Sequence, residues 1–350
     1  MLDNEASDLH MAVGQKPKYR IHSDVIPVAS HPELTPDSLK VYLSELTGEE
    51  RWQSYLDNYD FDFAYGIEGK ARYRCNYFFQ RTGYGAVFRI IPSKILTLDE
   101  LKLPEVLKKL TLLRNGLVLV TGPTGSGKST SLAAMINHIN ERERKNIVTI
   151  EDPIEFVHMN KKSIIRHREV HNHTESFANA LRSVSRQDAD VVLVGEMRDL
   201  ETIGLALSAA AMGVLVYGTL HTNSAPKTID RIIDVFPIDQ QPQVRTMLGE
   251  SLRGVIAQQL LKKKGGGRVA VNEILLGSSA VSNIIREGRI DRLMSVIQAG
   301  KGEGMQAMDD VLEEFVQSNV IDGEDAYMKS LEKKRFEKYL PQDSAISVGG

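Results

Sequence analysis

Cysteine is nearly missing from this sequence: Cys75 is the single one among 350 residues. An intramolecular disulfide is therefore impossible, a metal site built from several thiolates is excluded, and a reducing compartment is the simpler setting. Net charge is nearly missing too. With 43 Lys and Arg against 46 Asp and Glu, the formal balance is −3, too even to mark a nucleic-acid binder or an acidic disordered tail without a local patch. The opening residues MLDNEASDLH hold acids and no apolar stretch, so a secretory signal peptide is not expected and the chain should stay in the cytoplasm. One long run lacks charge altogether, between Glu201 and His221, and as a single helix it could cross a bilayer. Gly204 and Gly213 interrupt it, and after Gly213 Ala-rich LALSAAAM gives way to VLVYGTL. That change of composition predicts a buried helix followed by a buried strand, with any membrane contact peripheral.

Apolar residues make up 42% and charged ones 25%, an ordinary globular balance, and the length predicts about two domains. From Tyr19 to Pro92 the pattern is short and mixed. YRIHSDVIPV and RYRCNYFFQ alternate like strands, and VYLSELTGEERWQSYL between them has helical spacing, which predicts a small α+β domain over residues 1–92. Prolines at 92 and 104 bracket an expected flexible joint over 93–103, with Pro104 placed to open the helix EVLKKLTLL. Beyond it, over 104–350, apolar strands alternate with helices. LVLVT (117–121) precedes a glycine loop and KSTSLAAMINHIN; IVTI (147–150) precedes an acidic turn; DVVLVGE (190–196) precedes DLETIGLALSAAAM; VLVYGTL (214–220) precedes HTNSAPKTIDRII. Such alternation predicts an α/β fold with a parallel sheet covered on both faces, and function at the carboxyl ends of its strands. KKKGGGR (262–268) reads as a helix C-terminus and a glycine turn into the strand RVAVNEILL. After Ser278, SNIIREGRIDRLMSVI and MQAMDDVLEEFV read as amphipathic helices, and the terminal QDSAISVGG as frayed. No internal repeat is evident.

The strongest chemical signal is Gly122-Pro123-Thr124-Gly125-Ser126-Gly127-Lys128-Ser129-Thr130. It fits G-x-x-x-x-G-K-[ST] directly after an apolar strand and directly before a helix, the context that makes the pattern a phosphate-binding loop. Glycines let successive N–H groups face polyphosphate oxygens at the positive end of the helix. Lys128 is expected to bridge the β and γ phosphates of ATP, and the Ser129 hydroxyl to take one Mg²⁺ position. Hydrolysis also needs a group that orients water. Glu151, Asp152 and Glu155 follow one strand and Glu196 ends another, with Gly195 where an aspartate for Mg²⁺ would be expected, so metal binding through water is anticipated. Asp152 and Asp199 each read equally well as helix caps.

Taken together, TGPTGSGKST, TIEDPIEFVH, ANALRSVSRQDADVVLVGEMRDLETI and YGTLHTNSAPKTIDRIIDVFP resemble the Walker A, Asp-box, Walker B and His-box blocks of the secretion-type hexameric ATPases, and most closely those of type IV pilus retraction. The resemblance runs from Ala6 to about Leu312, although the chain starts close to ASDLH and is expected to lack most of a first helix. It implies an N-terminal PAS-like domain, a RecA-like P-loop ATPase domain with C-terminal helices, and assembly into a homo-hexamer. It further implies that Glu155 is the general base toward water, that Glu196 supports Mg²⁺, and that His221 senses the γ phosphate. Arg74 and Arg89, with Arg72 nearby, would be delivered from a neighbour's N-terminal domain, while Arg81 and Thr82 stand exchanged relative to the family's usual pair. Arg182 and Arg186 are further candidate charge sensors.

His167, His171 and His173 lie close together, but their spacing offers no second ligand group, so solvent-facing histidines are expected rather than zinc. Assembly and type II secretion ATPases similar to this chain carry a four-cysteine zinc element, which one cysteine cannot make. AVSNIIREG (280–288) and GMQAMD (304–309) resemble elements of the retraction family, with Ser282 replacing its usual arginine, so the primary motor and its accessory paralogue both stay open. The resemblance implies an inner-membrane platform protein and a paralogous retraction ATPase as partners. Two other classes remain. A RecA-like nucleic-acid translocase would need a basic stripe or stacking aromatics lining a pore, and a non-hydrolysing scaffold would be indifferent to Glu155→Gln.

Overall fold

The computed structural model describes residues 1–4, 6–21, 24–67, 70–91 and 94–340. Pro92, Ser93 and the terminal QDSAISVGG, all singled out above, lie outside the described residues. The chain divides into two compact units: Met1–Lys94 together with Pro153–Val157, and Ile95–Asp152 together with the chain from His158 onward.

In the N-terminal unit the elements are β1 (Asp8–Ala12), β2 (Lys18–Ile21), β3 (Asp24–Pro27), α1 (Pro36–Thr47), α2 (Glu49–Asn58), β4 (Asp60–Ile67), β5 (Ala71–Gln80) and β6 (Gly83–Ile91). The strands form one sheet in the order β3-β2-β1-β6-β5-β4, every pairing antiparallel. The stretch with helical spacing is two helices rather than one. Thr35 and Ser38 form a capping box at the start of α1 with Pro36 in its first turn, and Gly48, at φ 72°, ends α1 and opens α2. The few aromatics of the chain concentrate here. Trp52, Tyr55, Phe63, Tyr77 and Phe88 share one core, where Tyr55 meets Tyr77 edge-on at 5.6 Å. The Tyr55 hydroxyl donates to the Phe78 carbonyl at 2.9 Å, and burial pushes that phenol up to about 12. Cys75 is buried in the same core, where burial raises its thiol to about 12.

The C-terminal unit carries α3 (Val106–Thr111), β7 (Gly116–Thr121), α4 (Lys128–Arg142), β8 (Asn146–Glu151), β9 (Ile164–Glu169), α5 (Phe177–Val184), β10 (Val191–Val194), α6 (Leu200–Ala211), β11 (Leu215–Leu220), α7 (Ala225–Asp234) and α8 (Gln241–Ser251). Then follow β12 (Leu252–Lys262), β13 (Arg268–Leu276), α9 (Ser279–Glu287), α10 (Leu293–Ala299), α11 (Met308–Gln317), α12 (Gly323–Lys329) and α13 (Lys333–Phe336). The sheet order is β13-β12-β7-β11-β10-β8-β9. All neighbours are parallel except β12 and β13. Every residue of β7 is buried. Leu117 and Leu119 pack on one side with Ile203 of α6 and Ile229 of α7, while Val118 and Val120 pack on the other with Leu132 and Met135 of α4. The continuous apolar text of β7 therefore reflects two buried faces. The charge-free run from 202 to 220 is α6 and β11, as expected, and no helix among the described residues is long and apolar enough to cross a membrane.

One reading of the chain is corrected here. KKKGGGR closes a β-hairpin, because Leu252–Lys262 is the strand β12 and not a helix. The segment's β-branched centre, Val255-Ile256, is paired on both sides by β7 and β13, and that tertiary pairing overrides the helical propensity of AQQLLKKK. Of the stretch expected as a joint, Thr97–Leu103 forms a turn: Thr97 and Glu100 cap one another, and Leu98 and Leu103 are in the core with Leu107.

The C-terminal helices are held by carboxylates of α11. Asp309 accepts the backbone N–H groups of Leu331 at 2.9 Å and Glu332 at 2.7 Å. Arg335 bridges Asp310 and Glu313, at 2.7 and 2.6 Å, and Lys338 reaches Glu313 at 2.8 Å. The hydrogen bonds from Lys338 and Arg335 hold the Glu313 carboxyl at about 2, below the ordinary glutamate range. A depressed folded-state value contributes stability above the ordinary glutamate range and loses it as pH falls toward that value. Protection factors, taken relative to intrinsic exchange at each pH, should therefore stay high for peptides spanning 323–339 at pH 5 and fall on acidification toward pH 2, ahead of those for peptides from β7. Unchanged protection of 323–339 down to pH 2 would contradict the role assigned to Glu313.

Candidate functional site

The glycine loop leaves the buried end of β7 and turns into α4. Gly122 has φ 147°, and a Cβ there would run into the Gln258 carbonyl and the Ser126 hydroxyl. Gly127, at φ 84°, is the residue before α4, and no side chain caps that helix. The first-turn N–H groups of α4 are therefore left for a ligand rather than claimed by a cap, which is the donor set a phosphate needs. The Lys128 ammonium stands at the loop, donating to the carbonyls of Gly122 at 2.7 Å and Pro123 at 3.1 Å. Ser129 and Thr130 occupy the first turn half-buried, and the Ser126 hydroxyl is buried without a hydrogen-bond partner among the described residues. Pro123, Thr124 and Gly125 form the exposed crest of the loop.

A residue not singled out from the sequence holds this loop. Gln258, buried in β12, donates to the Ser126 carbonyl at 2.7 Å and accepts from the Ser131 hydroxyl of α4 at 2.7 Å. One amide thus ties the loop to the helix it opens. The available signal was a glutamine pair inside an apolar run, visible only once 252–262 is read as a buried strand.

Glu196 lies two residues beyond β10. Its carboxylate meets Arg198 at 2.6 Å and His221 Nε2 at 3.1 Å. Burial pushes its carboxyl up, but the Arg198 hydrogen bond and charge, followed by His221 and Lys128, bring it below the ordinary carboxylate range. The structure therefore gathers Lys128, Glu196 and His221 around the carboxyl ends of β7, β10 and β11, with Arg198 as a further member. Arg198 engages both oxygens of Glu196. Among the described residues no cluster of three or more His, Cys, Asp or Glu could hold a metal alone. A Mg²⁺ held by Ser129 would thus take most of its positions from phosphate oxygens and water, which fits that ion's chemistry. Asp199 is a helix cap, accepting from Thr202 N–H at 2.8 Å. Arg182 pairs with Glu201, and Arg186 is exposed.

Glu155 is half-buried in the irregular segment Pro153–Val157, which belongs with the N-terminal unit. In that unit Arg74 and Arg89 are cross-strand partners on β5 and β6, so both guanidinium groups leave the same face. Arg89 is engaged by the buried carboxylate of Asp8 at 2.7 Å, whereas Arg74 is exposed. Arg72 pairs with Ile91 in the register, and Arg81 and Thr82 form the turn between the strands. The histidine expectation needs one correction. His171 and His173 are exposed, but His167 is half-buried: its Nδ1 lies 2.9 Å from the Thr149 hydroxyl and its Nε2 accepts the His158 N–H at 3.1 Å. It joins β8 to the end of the acidic segment, which the solvent-facing reading missed.

The profile of the family described as Type II/IV secretion system protein matches residues 2–294. The chain belongs to that family. Within the secretion-system family it is 49% identical to the type IV pilus retraction ATPase PilT of Pseudomonas aeruginosa over 325 residues, 93% of this chain and 94% of that one. It is 52% identical to a twitching motility protein of Neisseria gonorrhoeae, over 87% of this chain and 82% of that one. A crystal structure of the pilus retraction motor PilT with bound ADP superposes with a TM-score of 0.90 at 43% identity, covering 96% of each chain. The α/β reading, with an antiparallel N-terminal sheet and a mostly parallel second sheet, is the architecture of that family member.

Gln258→Met removes both loop contacts while keeping side-chain length. Leaving the Ser126 carbonyl and the Ser131 hydroxyl unpaired should weaken ADP binding by about 1–2 kcal/mol, roughly 5- to 30-fold, and lower the melting temperature by a few degrees. Titration with a fluorescent ADP analogue checks this, and unaltered affinity would show that the loop holds itself.

Proposed function

We propose that this chain is the ATP-hydrolysing motor of type IV pilus retraction, working as a homo-hexamer at the cytoplasmic face of the inner membrane. The observation that carries the reading is the convergence of Lys128, Glu196 and His221 at an uncapped helix N-terminus, in a chain alike over nearly its full length to a named retraction ATPase. Backbone N–H groups of 125–130 and the Lys128 ammonium bind the phosphates. Mg²⁺, when bound, would neutralise phosphate charge, held by the Ser129 hydroxyl and, through water, by Glu196. Glu155 accepts the proton of the attacking water. His221, hydrogen-bonded to Glu196, reports on the γ phosphate. Arg74 and Arg89 stabilise negative charge in the site of an adjacent subunit.

ATP binding then closes the ATPase domain of one subunit on the N-terminal domain of its neighbour, hydrolysis and release reopen it, and the ring passes that motion to an inner-membrane platform protein so that pilin is withdrawn. The even charge balance and the concentration of aromatics in the N-terminal core support a protein partner rather than nucleic acid.

Lys128→Ala should abolish nucleotide binding with the fold intact by circular dichroism. Glu155→Gln should retain ADP affinity and lose turnover by 10²-fold or about that much. Substantial Mg-ATPase in either variant would overturn the site. Cells without the gene should carry surplus surface pili and fail to twitch; bald cells would instead indicate an assembly motor.

A further inference from the structure

Asp8 belongs to ASDLH, the first segment of the family resemblance, and the hydrolytic machinery above does not use it. Its side chain is buried at the start of β1. Oδ1 accepts the Arg89 Nε–H at 2.7 Å, and Oδ2 accepts the Ser7 hydroxyl at 2.7 Å, with Arg20 Nε 3.8 Å away. The backbone beside it is fixed as well. The Ser7 N–H donates to the Arg20 carbonyl at 2.9 Å, and the Ser7 carbonyl accepts the Ile90 N–H at 3.0 Å. Burial pushes the Asp8 carboxyl up, but hydrogen bonds from Ser7 and Arg89, followed by the charges of Arg89 and His10, bring it below the ordinary aspartate range. A buried carboxylate is costly unless it is both paired and hydrogen-bonded, and this one is.

The strand register explains the placement. Arg20 on β2 pairs with Asp8 on β1, Asp8 with Arg89 on β6, Arg89 with Arg74 on β5, and Arg74 with Ala64 on β4. Residues directly opposite one another point to the same face, so one rung crosses the sheet as Arg, Asp, Arg, Arg and ends at a small side chain. The next rung, Leu9, Phe88 and Cys75, points the other way, into the aromatic core with Tyr55 and Tyr77. Three guanidinium groups therefore share a rung with a single carboxylate, on the face away from that core. Like charges directly opposite repel, and Asp8 is what separates Arg20 from Arg89. Arg89 commits its Nε to Asp8, while its side chain is 65% exposed and its two terminal nitrogens carry no hydrogen bond among the described residues. That leaves the outer edge of the guanidinium for an anion, beside the exposed Arg74.

We propose that Asp8 is a positioning residue for the hydrolytic step, fixing the Arg89 guanidinium in line with Arg74 so that the two present their charge together to phosphate in the adjacent subunit. The inference rests on the proposed assignment of Arg74 and Arg89 to that subunit's site. Asp8 acts through Arg89 and does not itself meet nucleotide.

The test is a double-mutant cycle on ATP turnover, with the full chain in its assembled form. Asp8→Asn removes the charge at nearly constant shape and should lower kcat about tenfold, with Kd for ADP within about twofold of the unaltered protein. Arg89→Gln, in which Ser7 and Arg20 still face Asp8, should lower kcat by at least as much. Added to Arg89→Gln, Asp8→Asn should change kcat by less than about twofold, because the group it acts through is gone. A carboxylate that only holds the fold together would cost the same in both backgrounds. Ser7→Ala stands in if Asp8→Asn does not fold: it removes one donor to Asp8 and keeps every charge. It should lower kcat about two- to threefold in the unaltered protein and leave Arg89→Gln unchanged. An additive cycle, a loss that falls on Kd alone, or unaltered kcat in Asp8→Asn (in Ser7→Ala where that replaces it) would each overturn the proposal. If Arg89→Gln itself turns over normally, the arginine assignment fails and takes this inference with it; if Arg89→Gln is impaired and Asp8→Asn is not, only the role of Asp8 fails.

Discussion

The aim of the α4 N–H groups at a phosphate depends on β7 remaining buried on both faces, since a helix end has no direction of its own. Leu117 and Leu119 anchor the strand against α6 and α7, and Val118 and Val120 anchor it against α4. Two independent packing surfaces fix rotation about the strand axis, and a rotated strand would swap them. The loop then has little freedom: Gly122 passes too close to the Gln258 carbonyl for any side chain, and α4 begins without a capping side chain. A side-chain cap at Gly127 would stabilise the helix by about 1 kcal/mol and would compete with phosphate for the same donors. Its absence leaves those donors open to the acceptor of a ligand.

Charge around the loop is arranged to match. Glu196 is ionised more readily than an ordinary glutamate although it is partly buried, because Arg198 and His221 face it and Lys128 is near. A lone buried carboxylate would be neutral or costly; its cationic neighbours favour the ionised form of this one. The same logic recurs in the N-terminal unit. Arg74 and Arg89 are like charges directly across a β ladder, an arrangement that costs stability unless something negative is shared. The buried Asp8 carboxylate relieves half of that cost by engaging Arg89, and Arg74 is left exposed.

Much of this was legible in the sequence because it depends on local pattern. The phosphate loop needs glycines and a lysine at fixed offsets, and the parallel strands need unbroken apolar text, so both could be read directly. What escaped depends on residues far apart in the chain. Gln258 acts on Ser126 across more than 130 residues, and its segment looked helical because AQQLLKKK favours a helix until β7 and β13 pair with it. Arg198 was overlooked beside the more familiar Glu196, and His167 because three nearby histidines invited a single explanation. Gly48 split one helical pattern into two for a reason visible beforehand, its tolerance of a positive φ, but nothing in the spacing demanded that it be used.

The hairpin of β12 and β13 joins these themes. Gln258 pairs in register with Asn272, and its neighbour Ala257 with Glu273. Because side chains alternate along a strand, Gln258 shares a face with Ile256, toward α4, and Glu273 shares one with Leu275, toward α7. One polar residue on each side of the sheet thus reaches a different part of the nucleotide site: the loop that holds phosphate on one face, the turn after His221 on the other. A one-residue slip of either strand would bury both groups against apolar side chains with no partners, at several kcal/mol each. The register of the hairpin is consequently specified by polar groups as well as by packing, and any motion that bends it is felt at both ends of the site.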